Sequence, residues 1–378
     1  MPLKKEAVDL CLPLQKITVI LNLFSLTSRI IITCSNRLSP WLQKEVEELG
    51  FKTVRIFKTG VELQGSMQDC IKLNLNLRCA SQVLFSIKEF RALNADDLYK
   101  VLADMPWEAM IPAEEYFSIS SNVSNETITN NLFANVKVKD AIADRFREKT
   151  GVRPNSGSEL NGAVVHLYWK DELAEIFIDT SGETLSKHGY RKIPGKAPML
   201  ESLAAATLLA STWNRQSAFI NPMCGSGTIA IEAAMMATNR RPGLYRSNYS
   251  FMHVLGYEQV FYDNEYKILE QQVTEAPKGL RIIASDISED AVNITKINAG
   301  IAGVEDLIEL QVCDFDEATV PEEDPGAVYF NPEYGDRLGV EDELQATYKR
   351  IGDFLRKSVK DIQVIFLRAI WSLVKKSD

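Results

Sequence analysis

Asn221-Pro222-Met223-Cys224-Gly225-Ser226-Gly227-Thr228 stands between a short apolar run, Ser217 to Ile220, and a helical one, Thr228 to Thr238. Two glycines between a strand and a helix let the backbone pass close to a ligand, and the helix that follows presents free N–H groups. Gly225, Gly227 and Ala230 also satisfy the G-x-G-x-x-A dinucleotide fingerprint, so the loop alone leaves the ligand open; a tight turn with packing glycines is the plain structural alternative. The acid that would hold a ribose separates the choices. A nicotinamide site places it ~20 residues after the glycines. Here the next strand-terminal acid is Asp286, about three times as far on, with Asn239 to Gly279 inserted between. From the end of the neighbouring strand Asp286 can still accept both ribose hydroxyls, or serve as a helix N-cap, or do both.

Outward from this loop the pattern is alternating strand and helix, which predicts a parallel sheet covered by helices. A helix over Leu200–Thr212 precedes the first strand. Downstream come a strand over Arg281–Ser285 ending at Asp286, a helix over Glu289–Ala302, a strand over Ile308–Val312 ending near Asp314, and a strand over Ala327–Phe330 ending at Asn331. Each strand ends in a polar residue, at the sheet edge where such folds bind ligands. Upstream, Ser181–Pro198 is rich in Gly, Lys and Pro and marks a boundary. Before it, a hairpin over Val164–Trp169 and Ala174–Asp179, a helix over Val138–Thr150 and a strand over Tyr116–Val123 form one α+β unit. A strand over Ile30–Thr33, a helix over Trp41–Leu49, a strand pair over Thr53–Phe57 and Gly60–Leu63 and a helix near Met67–Leu77 form another. The division expected is 1–85, 86–180 and 181–378.

The 378 residues, 46% hydrophobic and 25% charged, suit two or three soluble domains. The apolar stretch Ile17–Thr33 is broken by Asn22, Ser25, Thr27, Ser28 and Arg29, which argues against a membrane span or cleaved signal. The six cysteines form no C-x-x-C pair, and His166, His188 and His253 form no ligand pattern, so no metal site or disulfide framework is expected and the cytoplasm is the expected compartment. His166 reads as structural, His188 as a surface residue within reach of nucleic acid, and the five tryptophans as packing residues. A net charge of −9 argues against a polyanion partner unless the charge is local. Two windows are locally basic. Lys137–Arg153 holds six basic residues against three acids, and Lys187–Lys196 holds four and no acid; they are phosphate contacts or solvated faces.

Asn331-Pro332-Glu333-Tyr334-Gly335-Asp336-Arg337-Leu338-Gly339 follows the last of these strands. An exocyclic base amine is a poor nucleophile, its lone pair delocalised into the ring. An Asn oxygen beside a backbone carbonyl offers two acceptors that orient it and draw off proton density. Pro332 biases Asn331 to extended geometry, and Tyr334 offers a ring on which a flipped base stacks. Asn-Pro with Gly also serves as plain loop punctuation.

Together these segments resemble class I S-adenosylmethionine-dependent methyltransferases with an N-P-P-Y type amino-group motif. More narrowly, residues 30 to 365 resemble the THUMP-bearing guanine-N2 methyltransferases of bacterial large-subunit (23S) ribosomal RNA. Val136-Lys137-Val138-Lys139-Asp140-Ala141-Ile142, Arg153-Pro154-Asn155, Lys187-His188-Gly189-Tyr190-Arg191 and Tyr334-Gly335-Asp336-Arg337-Leu338 carry that match. The resemblance implies an α/β protein: a Rossmann-like catalytic domain preceded by α+β ferredoxin-like and THUMP domains. It assigns Asn221, Pro222, Cys224, Gly225, Gly227, Asp286 and Asp314 to S-adenosylmethionine; Asn331, Pro332 and Tyr334 to the target base; and Lys137, Lys139, Arg153 and Arg191 to ribosomal RNA. Three positions depart from the family pattern. Asn221 replaces an Asp, Glu333 replaces the second proline and unlocks its φ, and Arg368 to Asp378 does not match the family's final strands, so an exposed sheet edge is the expectation there. Adenine-N6 methylation and an RNA-binding protein without catalysis stay as alternatives; product nucleosides separate the first, and absence of cofactor binding marks the second. A nicotinamide oxidoreductase is disfavoured by the placement of Asp286.

Overall fold

The computed structural model describes residues 22–126, 128, 130–195, 198–321, 326–332, 341–358 and 363–366. The N-terminal half is built around one mixed sheet. Its strands are β1 (Thr27–Thr33), β2 (Arg55–Phe57), β3 (Gly60–Ser66), β4 (Gln82–Arg91), β5 (Phe117–Ser124), β6 (Ser156–Gly157), β7 (Ala163–Lys170) and β8 (Leu173–Asp179), in the order β2-β3-β1-β4-β8-β7-β5-β6. Helices α1 (Ser39–Glu48), α2 (Met67–Asn76), α3 (Ala95–Ala103) and α4 (Asn131–Thr150) accompany it. Local chemistry sets their ends. Ser66 Oγ accepts the Asp69 amide while the Asp69 carboxylate accepts the Ser66 amide, a capping box that starts α2. Asn130 caps α4 at one end and Gly151, at φ 73°, closes it at the other.

The strand β4 was not evident from the sequence, and it joins the two N-terminal units. It pairs antiparallel with β1 on one side and with β8 on the other, from Leu84↔Asp179 to Arg91↔Leu173. Helix α4 begins seven residues before the expected Val138, because exposed Leu132, Phe133 and Val136 blur its amphipathic stripe.

The C-terminal half contains α5 (Glu201–Ala210), β9 (Phe219–Pro222), α6 (Thr228–Ala237), α7 (Gln259–Gln272), β10 (Ile282–Asp286), α8 (Glu289–Ile301), β11 (Ile308–Val312), β12 (Ala327–Phe330), α9 (Glu341–Ser358) and β13 (Gln363–Phe366). Its described sheet runs β11-β10-β9-β12-β13, with every pair parallel. Strand order reverses at β9, which leaves β9 for β10 on one side and later returns as β12 on the other. That switch point opens a crevice at the carboxyl end of β9. No helix among the described residues is long and apolar enough to cross a membrane.

The halves are locked together by buried charge. His188, wholly buried, faces Glu232 of α6 through Nδ1 at 2.6 Å and the carbonyl of Arg78 through Nε2 at 2.9 Å. Burial works against charge on this ring, but two acceptors outweigh it and raise its pKa, so both nitrogens donate. His188 is therefore not the surface residue its basic surroundings suggest. The insertion before β10 docks on the N-terminal half too: Asn76 of α2 donates to Glu265 of α7 at 2.9 Å.

Candidate functional site

At the carboxyl end of β9 the chain turns through Met223 and Gly225, at φ 59° and 58°, to Gly227 at 79°, which opens α6 with no side-chain cap. Gly227 has no side chain with which to cap the first amides of α6, and among the described residues no other side chain is placed as their cap, the feature that suits a helix start to a polar ligand. The loop is held from the next strand. Cys224 N donates to the Ser285 carbonyl at 2.9 Å, and Gly225 N donates to Asp286 Oδ2 at 2.9 Å. Asp286 Oδ1 accepts the Ser288 amide at 3.0 Å, and it is Ser288, not Asp286, that caps α8 through the Ala291 amide. Asp286 is therefore a half-buried brace between two loops, with acceptor capacity beyond the two amides it takes.

The two glycines differ. A Cβ on Gly225 would meet nothing within 4 Å, whereas one on Gly227 would lie 2.4 Å from Thr295 Cγ2. Gly225 marks the open side of the loop and Gly227 its packed side. Thr295 also donates to the Gly225 carbonyl at 3.0 Å, so α8 supports the loop from beneath. Nothing local in the sequence singles out Thr295, because its partner lies 70 residues away.

Asn221 is fully buried and donates through Nδ2 to the Tyr329 carbonyl at 3.0 Å, extending the β9–β12 ladder past its last backbone pair, Val328↔Ile220. Its Oδ1 is buried without a partner among the described residues. Two residues beyond Tyr329, Asn331 also holds a buried Oδ1 with no hydrogen-bond partner among the described residues, and Pro332 beside it is buried. A buried acceptor left unpaired costs about 1–3 kcal/mol, which a ligand's N–H can recover. Tyr334 and Glu333 lie outside the described residues.

Burial pushes the Cys224 thiol up to about 12, so it stays neutral in the loop. Asp314 follows β11; burial opposes its charge, but the Arg350 guanidinium at 2.8 Å holds its carboxyl below the usual range. Asp286 and Asp314 thus stand at the ends of adjacent parallel strands, paired in register at Asp286↔Val312. No group of His, Cys, Asp or Glu among the described residues is arranged to hold a metal.

The basic residues divide. On α4, Lys137 and Lys139 keep about a third of their side-chain surface, each 3.8 Å from an acid, Asp96 and Asp140. Arg153, past the end of α4, is exposed. Arg191 is a correction to the expected nucleic-acid contact. Its side chain is only 9% exposed, and its guanidinium is spent on the Met199 carbonyl at 2.5 Å, Thr228 Oγ1 at 3.1 Å and Glu201 at 2.9 Å. With three of its five N–H groups spent on internal acceptors and its side chain nearly buried, this guanidinium is not presented to a phosphate.

Three family models tile this chain: an RlmL ferredoxin-like domain over residues 29–84, a THUMP domain over 92–179 and an RMKL-like methyltransferase domain over 188–370. Residues 188–370 thus form an RMKL-like methyltransferase domain, preceded by a THUMP domain. The fold is accordingly α/β, with ferredoxin-like and THUMP domains sharing the first sheet and a class I methyltransferase domain around the second. A relative from Psychromonas ingrahamii, named ribosomal RNA large subunit methyltransferase K/L, is 36% identical over 329 residues, covering 85% of this chain and 43% of its own. The chain spans less than half the length of the curated relatives it matches. Among solved structures, a predicted N6-adenine-specific DNA methylase from Listeria monocytogenes superposes with TM-score 0.81 at 28% identity, covering 93% of this chain and 91% of that one. A putative methyltransferase, SMU.472, complexed with SAH superposes with TM-score 0.77 at 25% identity, over 88% and 87%. Asn221, Gly225, Asp286 and Asn331 all stand at the carboxyl end of the parallel sheet, within the residues that the methyltransferase model matches.

Proposed function

We propose that this chain transfers a methyl group from S-adenosylmethionine to the exocyclic N2 amine of a guanine in large-subunit ribosomal RNA. The observation that carries the reading is the buried Asn331 Oδ1, without a partner among the described residues, at the carboxyl end of β12 across the switch point from an open glycine loop. The residues present fit the cofactor: Gly225 leaves room on the loop's outer side, uncapped α6 amides face it, and Asp286 is oriented by Gly225 N. Asn221, Pro222, Cys224, Gly227 and Asp314 complete that site in this reading. When bound, the cofactor supplies an electrophilic methyl carbon on a sulfonium.

The chain's own residues supply position. Asn331 Oδ1 accepts an amine hydrogen and turns the nitrogen lone pair out of conjugation and towards the methyl carbon; Pro332 fixes the backbone that carries it. Tyr334 is the proposed stacking platform for the flipped base. Rate comes chiefly from this alignment of two bound partners. Lys137, Lys139 and Arg153 are proposed RNA contacts within the THUMP domain, and the cytoplasm is the proposed compartment. The division 1–85, 86–180 and 181–378 is proposed for the three domains.

The test is transfer of labelled methyl to protein-free large-subunit rRNA, digested to nucleosides, with Asn331→Ala as the control. Label in N2-methylguanosine that falls about a hundredfold or more in the variant supports the reading. Label in N6-methyladenosine moves it to adenine, and no transfer by a folded protein that still binds RNA leaves an inactive RNA-binding relative.

A further inference from the structure

The stretch from Arg191 to Met199 reads in sequence as a loose connector, yet it is pinned at two points. Arg191 closes its neck by donating to the Met199 carbonyl. The second pin is Asn298, on α8 one turn beyond Thr295 and fully buried. Its Oδ1 accepts the amides of Lys192 and Ile193, both at 3.2 Å, and its Nδ2 donates to the carbonyls of Ile193 at 3.0 Å and Ser226 at 3.3 Å. All four hydrogen-bonding positions of the amide are filled, three by the connector and one by the glycine loop. A Cβ placed on Gly195 would lie 3.4 Å from Ser226 Cβ, so the connector passes close beside the loop beyond the pin.

We propose that Asn298 is a positioning residue for the cofactor, holding Lys192–Gly195 against the Gly225–Gly227 loop so that the two segments form one rigid cradle. The inference rests on the S-adenosylmethionine reading of that loop. Asn298 touches no reacting atom. Its part is to keep two otherwise independent backbone segments at one separation before the ligand arrives, which lowers the ordering cost of binding. A side chain that merely satisfied stray amides would stabilise the fold without setting ligand affinity.

The experiment compares Asn298→Ala with Asn74→Ala. Asn74 is a buried amide remote from this loop, donating to the Cys70 carbonyl and Thr180 Oγ1, both at 2.8 Å. The probe is S-adenosylhomocysteine, titrated by calorimetry into the full chain, with hydrogen exchange of the peptide containing Lys192 and Ile193 as the second readout. Expected for Asn298→Ala is an affinity loss of about tenfold or more, faster exchange at Lys192 and Ile193, and unchanged RNA affinity. Asn74→Ala should lower the melting temperature and leave the affinity alone. If Asn298→Ala fails to fold, Asn298→Ser, which retains one polar group, takes its place. Wild-type affinity in a variant whose connector amides have been released overturns the inference alone, as does an equal affinity loss in Asn74→Ala. Wild-type protein that binds no S-adenosylhomocysteine removes both the inference and the functional reading beneath it.

Discussion

Alanine at Gly225 and at Gly227 should produce opposite phenotypes, though the residues are two apart in one loop. Both have left-handed φ, 58° and 79°, so each substitution carries a backbone penalty of about 1 kcal/mol. Only Gly227 adds a collision, with Thr295 Cγ2 at 2.4 Å, Oγ1 at 2.8 Å and Cβ at 2.9 Å from the new methyl. Overpacking of that kind costs about 1–3 kcal/mol, bringing Gly227→Ala to about 2–4 kcal/mol of lost stability. At Gly225 the methyl enters open space on the side proposed for the cofactor. Stability then falls by only about 1 kcal/mol, while S-adenosylhomocysteine affinity falls about tenfold or more. Urea midpoints at constant m-value and calorimetric titration measure the two effects. Thr295→Ser, which removes Cγ2, should restore part of the stability of Gly227→Ala and none of the affinity of Gly225→Ala. Equal stability losses at the two glycines, or no rescue by Thr295→Ser, would refute the assignment of one open and one packed side.

Arg191→Ala should destabilise the protein by about 3–5 kcal/mol, because it strands Glu201 in the interior, and should leave RNA affinity at equal folded concentration unchanged; weaker RNA binding with an unaltered urea midpoint would restore Arg191 as a phosphate contact. Two buried groups give stability an acid dependence of opposed sign. Burial pushes His166 down to about 4 from 6.5, so between those values the unfolded chain binds the extra proton and stability rises with pH. Burial pushes Asp179 up to about 6 from 3.8, against hydrogen bonds from Gln82 and the Ser181 amide, so between those values the folded chain binds the proton and stability falls with pH. Each is worth roughly 3 kcal/mol and the two nearly cancel from pH 4 to 6. His166→Gln should therefore lose stability as pH rises through that window and Asp179→Asn should gain it; parallel urea-midpoint curves for both variants and wild type would show that neither group titrates this way.

The catalytic half was legible because its strands are short apolar runs that each stop at a polar residue, as Ile282–Asp286 and Ala327–Asn331 do, and because a glycine pair between strand and helix has few physical uses. The hairpin of β7 and β8 was legible from its turn, where Asp171 takes φ 52°. What stayed hidden depends on partners far along the chain. Thr295 and Asn298 are ordinary polar residues in a helix until Gly225 and the connector arrive beside them. The stretch Lys187–Lys196 read as a basic surface because its charges are visible and their acceptors are not: Glu201 and Glu232 lie in helices that read as apolar. One signal was present. Glu232 is the single acid in Ile229–Met236, and a lone carboxylate in such a run demands a buried partner, which His188 supplies.

The position of β4 in the middle of the first sheet has a consequence during synthesis. One of its edges is covered by β1, made earlier, but the other waits for β8, and some 80 residues separate Arg91 from Leu173. At translation rates of about 5–20 residues per second, that edge stays uncovered for roughly 4–16 s. A growing chain that carries an unpaired strand for seconds, in a crowd of identical chains on one message, is a substrate for strand-to-strand capture. Covalent order along the gene thus imposes a demand for chaperone cover that ends only when β8 emerges and the sheet closes over β4.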